Sequence, residues 1–212
     1  MTPVILLTGG MSAAGVAVAE ELLGRGIAVV IVSQSAASAA PVSVNALTAT
    51  HFSADLTDGK EVTQLSADIA RLGLEVIGLV HLVGGWAGGK GITGQSDEKY
   101  DLLAASFHSL RNVSREFHDG LLKTASPRVI TVSSPIARRP TPSSANYAAV
   151  KAASEAWTLA LDPALRTADD PGGASIIITD SLSGREASFA RLVADTLAAP
   201  VSRVAGKHIL HV

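Results

Sequence analysis

The chain contains no cysteine. Disulfides and thiolate metal sites are thereby excluded, and a reducing compartment such as the cytoplasm suits such a chain. Aromatic residues are scarce, at 4% of 212 residues, while hydrophobic residues reach 47%. A core must then be built from Ala, Val, Leu and Ile, which suits helices packed closely on a buried sheet. Neither sign of charge dominates: 17 Lys and Arg stand against 19 Asp and Glu, for a net charge of −2. That balance gives no reason to expect a nucleic acid or an acidic membrane as partner, and no long run of like charge is present, Arg138-Arg139 being only a short basic pair. No apolar stretch approaches the length needed to span a bilayer. The opening "MTPVILLTGG" lacks the basic start and sustained apolar run of a secretion signal. These features predict one globular, cytoplasmic domain over residues 1–212.

What is present is an alternation of strand and helix patterns. "VILLT" and "IAVVIVS" are continuous apolar runs, as expected of strands buried on both faces. Between them a helix pattern runs from about Ser12 to Arg25, with Ser12 as N-cap. After the Ala/Ser-rich connection 34–43, "LTATHFSA" reads as a weaker third strand, and "DGKEVTQLSADIARLG" as a helix opened by Asp58. "EVIGLVHLV" is a fourth strand, followed by the glycine-rich "GGWAGGKGITGQ" and a long amphipathic helix from about Ser96 to Lys123. "RVITVSS", a Pro/Ser-rich loop, a helix to about Thr167, "ASIIITD", a helix over 186–198 and "KHILHV" complete the pattern. Alternating units of this kind predict an α/β fold: a doubly wound, Rossmann-type parallel sheet of about seven strands with helices on both faces. Ligands of such sheets lie beyond the carboxyl ends of the strands, where every unusual segment of this chain falls.

Two constellations carry chemistry. The first βα turn, "LLTGGMSAAGVAVAE", places glycines where backbone N–H groups can approach a pyrophosphate at a helix N-terminus. The stretch "SSANYAAVK" places Tyr147 four residues before Lys151, on one helix face. An ammonium beside a phenol favours the phenolate, which makes a weak acid useful near neutral pH. Taken alone, the pair equally fits a helix that happens to carry both residues on one side. The six histidines, His51, His81, His108, His118, His208 and His211, show no zinc-type spacing, so no metal site is expected.

Taken together, the glycine turn, a strand-end serine pair and the Tyr-xxx-Lys helix resemble the short-chain dehydrogenase/reductase family over essentially the whole chain. Its TGxxxGxG signature is matched by Thr8, Gly9 and Gly15, with Ala13 where the middle glycine stands. The resemblance implies hydride transfer between a nicotinamide and a carbonyl, alcohol or pteridine-like substrate. Tyr147 would be the general acid/base, Ser134 would bind the reacting oxygen, and Lys151 would depress the tyrosine pKa and hold the ribose. Ser106 takes the place of an Asn that supports a water relay. Implied cofactor contacts are Gly9, Met11, Ser12, Ala14 and Gly15 on the first turn, Ser33 and Gln34 at the second strand, Asp55 and Leu56 after the third, Val83 and Gly84 after the fourth, and Tyr147 with Lys151. No acid in Ser33-Gln34-Ser35 excludes the extra phosphate of NADP, so NADP is expected, with NAD as the alternative.

The loop "GGWAGG" resembles that of dihydropteridine reductases, where Trp86 would stack on a flat substrate; the same residue could equally anchor the loop by packing. "HLVG" replaces the usual NNAG, and His81 is expected to be a packed strand residue. "TDSLSG" replaces the usual Pro-Gly turn, leaving Asp180, Ser181 and Leu182 as candidate nicotinamide contacts. The glycine loop is expected to close over ligand. The resemblance also implies a homodimer or homotetramer. The competing expectation is a dinucleotide-binding sensor or scaffold with weak turnover.

Overall fold

The computed structural model describes residues 1–34, 41–168 and 170–210. Ser35 and His211 lie outside the described residues. Seven strands form one parallel sheet: β1 (Thr2–Thr8), β2 (Ala28–Ser33), β5 (Thr50–Ser53), β6 (Leu74–His81), β7 (Arg128–Ser133), β8 (Gly173–Ile178) and β9 (Lys207–Leu210), in the order β5-β2-β1-β6-β7-β8-β9. Winding reverses between β1 and β6, which opens a crevice beyond their carboxyl ends.

The continuous apolar runs are explained by two cores. Ile5, Leu7, Val29 and Ile31 face α1 (Ala13–Gly24) and α5 (Glu186–Ala198), where they meet Val18, Leu22, Phe189 and Val193. Val4, Leu6, Val30 and Val32 face the opposite layer of α2 (Gly59–Arg71), α3 (Asp97–Leu121) and α4 (Ala145–Leu165), against Val62, Leu65, Val113, Phe117 and Leu165. A strand buried on both faces has no polar positions to alternate with. Helix starts follow the expected caps: the side chains of Ser12, Asp58 and Ser96 each accept a backbone N–H of the first turn.

The third strand differs from its expected form. Residues 47–54 are not one strand: β3 (Ser43–Val44) and β4 (Leu47–Thr48) make a separate antiparallel hairpin, and only Thr50–Ser53 joins the sheet. The cause is the two-residue turn Asn45-Ala46, with φ of 50° and 66°, the left-handed pair that a tight hairpin requires. A short helix, α6 (Val201–Val204), also lacks a clear sequence signal. Among the described residues no helix is long and apolar enough to cross a membrane. None of them forms a group of three or more His, Cys, Asp or Glu able to hold a metal ion.

Candidate active site

The turn after β1 is shaped by close approach. Gly9 has φ of +72°, and a Cβ there would lie 2.9 Å from Leu82 C and Val83 N. A Cβ on Gly15 would lie 2.5 Å from Gly10 Cα, so the first turn of α1 packs directly on the loop. Ser12 Oγ accepts from Gly15 N at 3.0 Å and donates to Gly9 O at 3.0 Å, fixing the loop on the helix start. Gly9→Ala is expected to destabilise the protein by about 2 kcal/mol or more, through left-handed strain and contact with fixed backbone. Urea unfolding of the two proteins checks this.

A cavity of about 480 Å3 runs along the crevice. Of the residues expected to hold a cofactor, Gly9, Met11, Ser12, Ser33, Gln34, Leu56, Val83 and Gly84 line it. Ala14, Gly15 and Asp55 do not. Ala14 is 6% exposed and belongs to the core beneath α1. Asp55 turns its carboxylate onto Thr57, accepting from the amide at 2.8 Å and the hydroxyl at 2.7 Å. Those bonds hold its carboxyl below the usual carboxylate range. Asp55 therefore shapes the turn that carries Leu56 and Thr57 to the wall. At the same end, Ser33 Oγ lies 2.9 Å from His51 Nε2, and Gln34 O accepts from Ser53 Oγ at 3.0 Å.

A second cavity of about 200 Å3 shares Leu82, Val83, Gly84 and Gly85 with the first and is completed by Val132, Ser133, Tyr147, Lys151, Thr179, Asp180, Ser181 and Leu182. The three β8–α5 loop residues named from sequence are thus brought to the site. The Ser134 hydroxyl, in a residue 4% exposed, lies close enough to Tyr147 to act on its phenol. Lys151 Nζ donates to Val132 O at 3.0 Å, sits beside Gly84, and lies 5.8 Å from the Tyr147 ring centroid.

The electrostatics depart from expectation. Burial pushes the Tyr147 phenol up from its ordinary value, and the nearby Ser134 hydroxyl opposes this only in part. Depression of the phenol by Lys151 was expected, but the ammonium is turned to the Val132 carbonyl instead. Burial also lowers Lys151 itself to about 8, although the charge of Glu155 one turn along α4 works to raise it. Glu155 is 8% exposed, with Arg138 at 3.5 Å and His208 at 3.2 Å from Oε2.

Ser106 lines the larger cavity, yet its hydroxyl is turned back onto Leu103 O at 2.7 Å. Its carbonyl takes the imidazole of His81, Nε2 to O 3.3 Å. A carbonyl only accepts, so Nε2 carries the proton, and Nδ1 accepts from the Thr8 hydroxyl at 2.8 Å. The water-relay role expected of the Ser106 side chain is therefore not prepared. His81 is packed, as expected, but it also ties the end of β1 to the middle of α3. Burial lowers its pKa to about 4. A folded value below the ordinary 6.5 means that the unfolded chain binds the extra proton first. Stability is then expected to fall as pH drops from about 6.5 towards 4, and His81→Asn should lose that component of acid unfolding, read by denaturation midpoints across the range.

The glycine loop is tied down. Gly89 N donates to Ser143 O at 2.9 Å, Gln95 Nε2 to Pro142 O at 3.1 Å, and Asn146 N to Gln95 Oε1 at 3.1 Å. Lys99 Nζ holds Gly88 O at 2.7 Å. Trp86 is 69% exposed; it lines the larger cavity and also rests against Gly88, where a Cβ would meet its ring at 2.8 Å.

Comparison with known proteins places the chain in a family. The family model for short chain dehydrogenase matches residues 3–169. The chain belongs to the short-chain dehydrogenase family. Membership makes it a nicotinamide-dependent oxidoreductase. No curated protein matches the chain. Among solved structures it is similar to serine dehydrogenase from Escherichia coli, with 15% identity, TM-score 0.84, and 98% of this chain and 96% of that one covered. It is similar to 3-ketoacyl-(acyl-carrier-protein) reductase from Brucella melitensis complexed with NADH, with 20% identity, TM-score 0.84, and 98% and 96% covered. The NADPH-bound short chain oxidoreductase of Pseudomonas aeruginosa, described as containing an atypical catalytic center, gives 19% identity, TM-score 0.81, and 99% and 94% covered.

The residues of this short-chain dehydrogenase fit a dinucleotide. Gly9 and Gly15 let the turn pack directly on the Leu82–Val83 backbone and on Gly10, which sets the α1 N-terminus beside the cavity that Gly9, Met11 and Ser12 line. At the opposite end, the Ser133 hydroxyl is buried with no hydrogen-bond partner. Ser133 and Glu155 lie at the site without belonging to any motif. The only sequence signal for Ser133 was its place beside Ser134 at a strand end.

Proposed function

We propose that the protein transfers hydride between NADP, or NAD, and a carbonyl, alcohol or pteridine-like substrate, with Tyr147 as general acid/base. The observation that carries this is convergence: Tyr147 with Ser134 at its phenol, beside partly buried Lys151, at a cavity that shares its walls with the glycine-lined crevice. A bound nicotinamide supplies the hydride. The chain's own residues do the rest. Ser134 orients the phenol and the reacting oxygen, Tyr147 gives that oxygen its proton during reduction, and Lys151 binds the ribose side once released from Val132 O. Neither Ser33 nor Gln34 is acidic, so nothing at the β2 tip repels a 2′-phosphate, which supports NADP. Trp86, exposed on the crevice wall, supports a flat substrate ring.

The reading includes a cytoplasmic location and pairing of copies through α3 and α4. There Leu159 is 38% exposed, and Arg111 stacks on both Phe107 and Trp157 at 5.9 Å and 5.3 Å. Sedimentation at several concentrations tests the pairing; a monomer throughout would remove that part.

A specific observation favours the second reading, a nucleotide-binding sensor. Lys151 is engaged by Val132 O, and the Ser106 hydroxyl is turned onto its own helix. The two separate in one assay that follows cofactor absorbance with a panel of carbonyls and quinonoid pterins. Turnover supports the enzyme, and binding without turnover supports the sensor.

A further inference from the structure

α4 carries Tyr147 in its first turn, yet Ser144 at its N-cap gives the helix no side-chain hydrogen bond. The bond comes instead from another element. Gln95 lies at the end of the glycine loop, and its Oε1 accepts from Asn146 N, in the first turn of α4, at 3.1 Å. Its Nε2 donates to Pro142 O at 3.1 Å, just ahead of that helix, and to Gly91 O at 3.2 Å, within its own loop. An N–H only donates and a carbonyl only accepts, so these partners fix which end of the amide points where. One side chain thus joins two segments that lie 51 positions apart.

The first amides of a helix lack intrahelical partners, and a side-chain oxygen supplied to one of them fixes where the helix begins. Here that oxygen belongs to the loop that walls the crevice. The loop opens with Gly84 and Gly85, which line both cavities, and a Cβ on Gly84 would lie 3.4 Å from Lys151 Nζ. Its Ala87 and the Tyr147 ring pack on the same cluster of Leu103, Ala104 and Val150. A Cβ on Gly89 would lie 2.6 Å from Gln95 Nε2, so the loop closes tightly around the amide. The geometry points to Gln95 as a positioning residue for Tyr147: by capping α4 from the glycine loop, it sets the phenol in register with the crevice wall. This rests on the oxidoreductase reading above and extends it to a residue that lines neither cavity.

The test is a double-mutant cycle on the whole protein, Gln95→Met with Tyr147→Phe, reading kcat at saturating cofactor and substrate beside NADPH affinity and melting temperature. Methionine keeps the length of the side chain and removes its amide. Gln95→Met is expected to lower kcat roughly 10- to 100-fold, the cost of a reacting group displaced by about 1 Å, while NADPH affinity holds. In the Tyr147→Phe background the same substitution should cost almost nothing further, because the phenol it positions is already gone. Single-turnover reactions with enzyme in excess keep the slow variants measurable. Gln95→Ala, which admits water beside Asn146 N, repeats the cycle with a second side chain and should show the same non-additivity. A merely structural role would lower the melting temperature and cost the same factor in both backgrounds. That result, or an unchanged kcat in the Gln95 variants, overturns the inference while leaving the oxidoreductase reading intact. A wild type without turnover on the carbonyl and pterin panel, or turnover undiminished in Tyr147→Phe, removes that reading and this inference together.

Discussion

Tyr147→Phe is expected to lower turnover about 10²- to 10⁴-fold, the range for a lost general acid or base, with dinucleotide affinity nearly unchanged. The ring remains and only the phenolic oxygen goes, so packing against Leu103, Ala104 and Val150 is kept. The direction of the reaction matters. Burial holds the phenol above its ordinary value, so it is protonated throughout the neutral range. Reduction, which needs the protonated form, should therefore run without a tyrosine-dependent loss near neutrality. Oxidation needs the phenolate and should gain rate as the solution becomes alkaline. Steady-state rates in both directions across pH, for wild type and variant, check the magnitude and the asymmetry.

Lys151 gives the second large effect. Its ammonium is lost as pH rises through about 8, so cofactor affinity should fall above that point, and the alkaline gain in oxidation is read at saturating cofactor. Stability should move the other way. The folded value lies below the ordinary 10.5, so between the two the unfolded chain holds more protons, and stability rises with pH by about 3 kcal/mol across that window. Affinity falling while stability rises is a signature that a merely structural lysine would not give. Lys151→Met should abolish both trends and remove the cost of a buried charge. Glu155→Gln should move the loss of affinity to lower pH, because the Glu155 charge is what supports the ammonium. Calorimetry of binding and urea unfolding between pH 7 and about 10.5 reads both quantities.

The sheet was legible because its signal is local. Val4 and Leu6 enter one core and Ile5 and Leu7 the other, and an unbroken apolar run is what that arrangement writes into a sequence. Ser134, Tyr147 and Lys151 were legible for a related reason, since a strand end followed by a loop and one helix face leaves little freedom of placement. The hairpin at Asn45-Ala46 was hidden because Ala gives no sign of a positive φ. Long-range partners were hidden as well. His81 meets Thr8 across 73 positions, and nothing in "HLVG" shows that its other nitrogen reaches the carbonyl of Ser106. Asp55 was placed on the correct loop, but its commitment to Thr57 is a rotamer choice that spacing does not record. The same holds for Lys151, whose long side chain turned to Val132 O rather than to the phenol.

The most direct measurement follows cofactor absorbance when the purified wild-type protein is given NADPH or NADH and the panel of carbonyls and quinonoid pterins. Oxidation of the cofactor at a rate proportional to enzyme, with at least one substrate class, is the expected result. Saturable cofactor binding with no oxidation on any member of the panel would contradict catalysis at Tyr147 and leave a nucleotide-binding protein in its place.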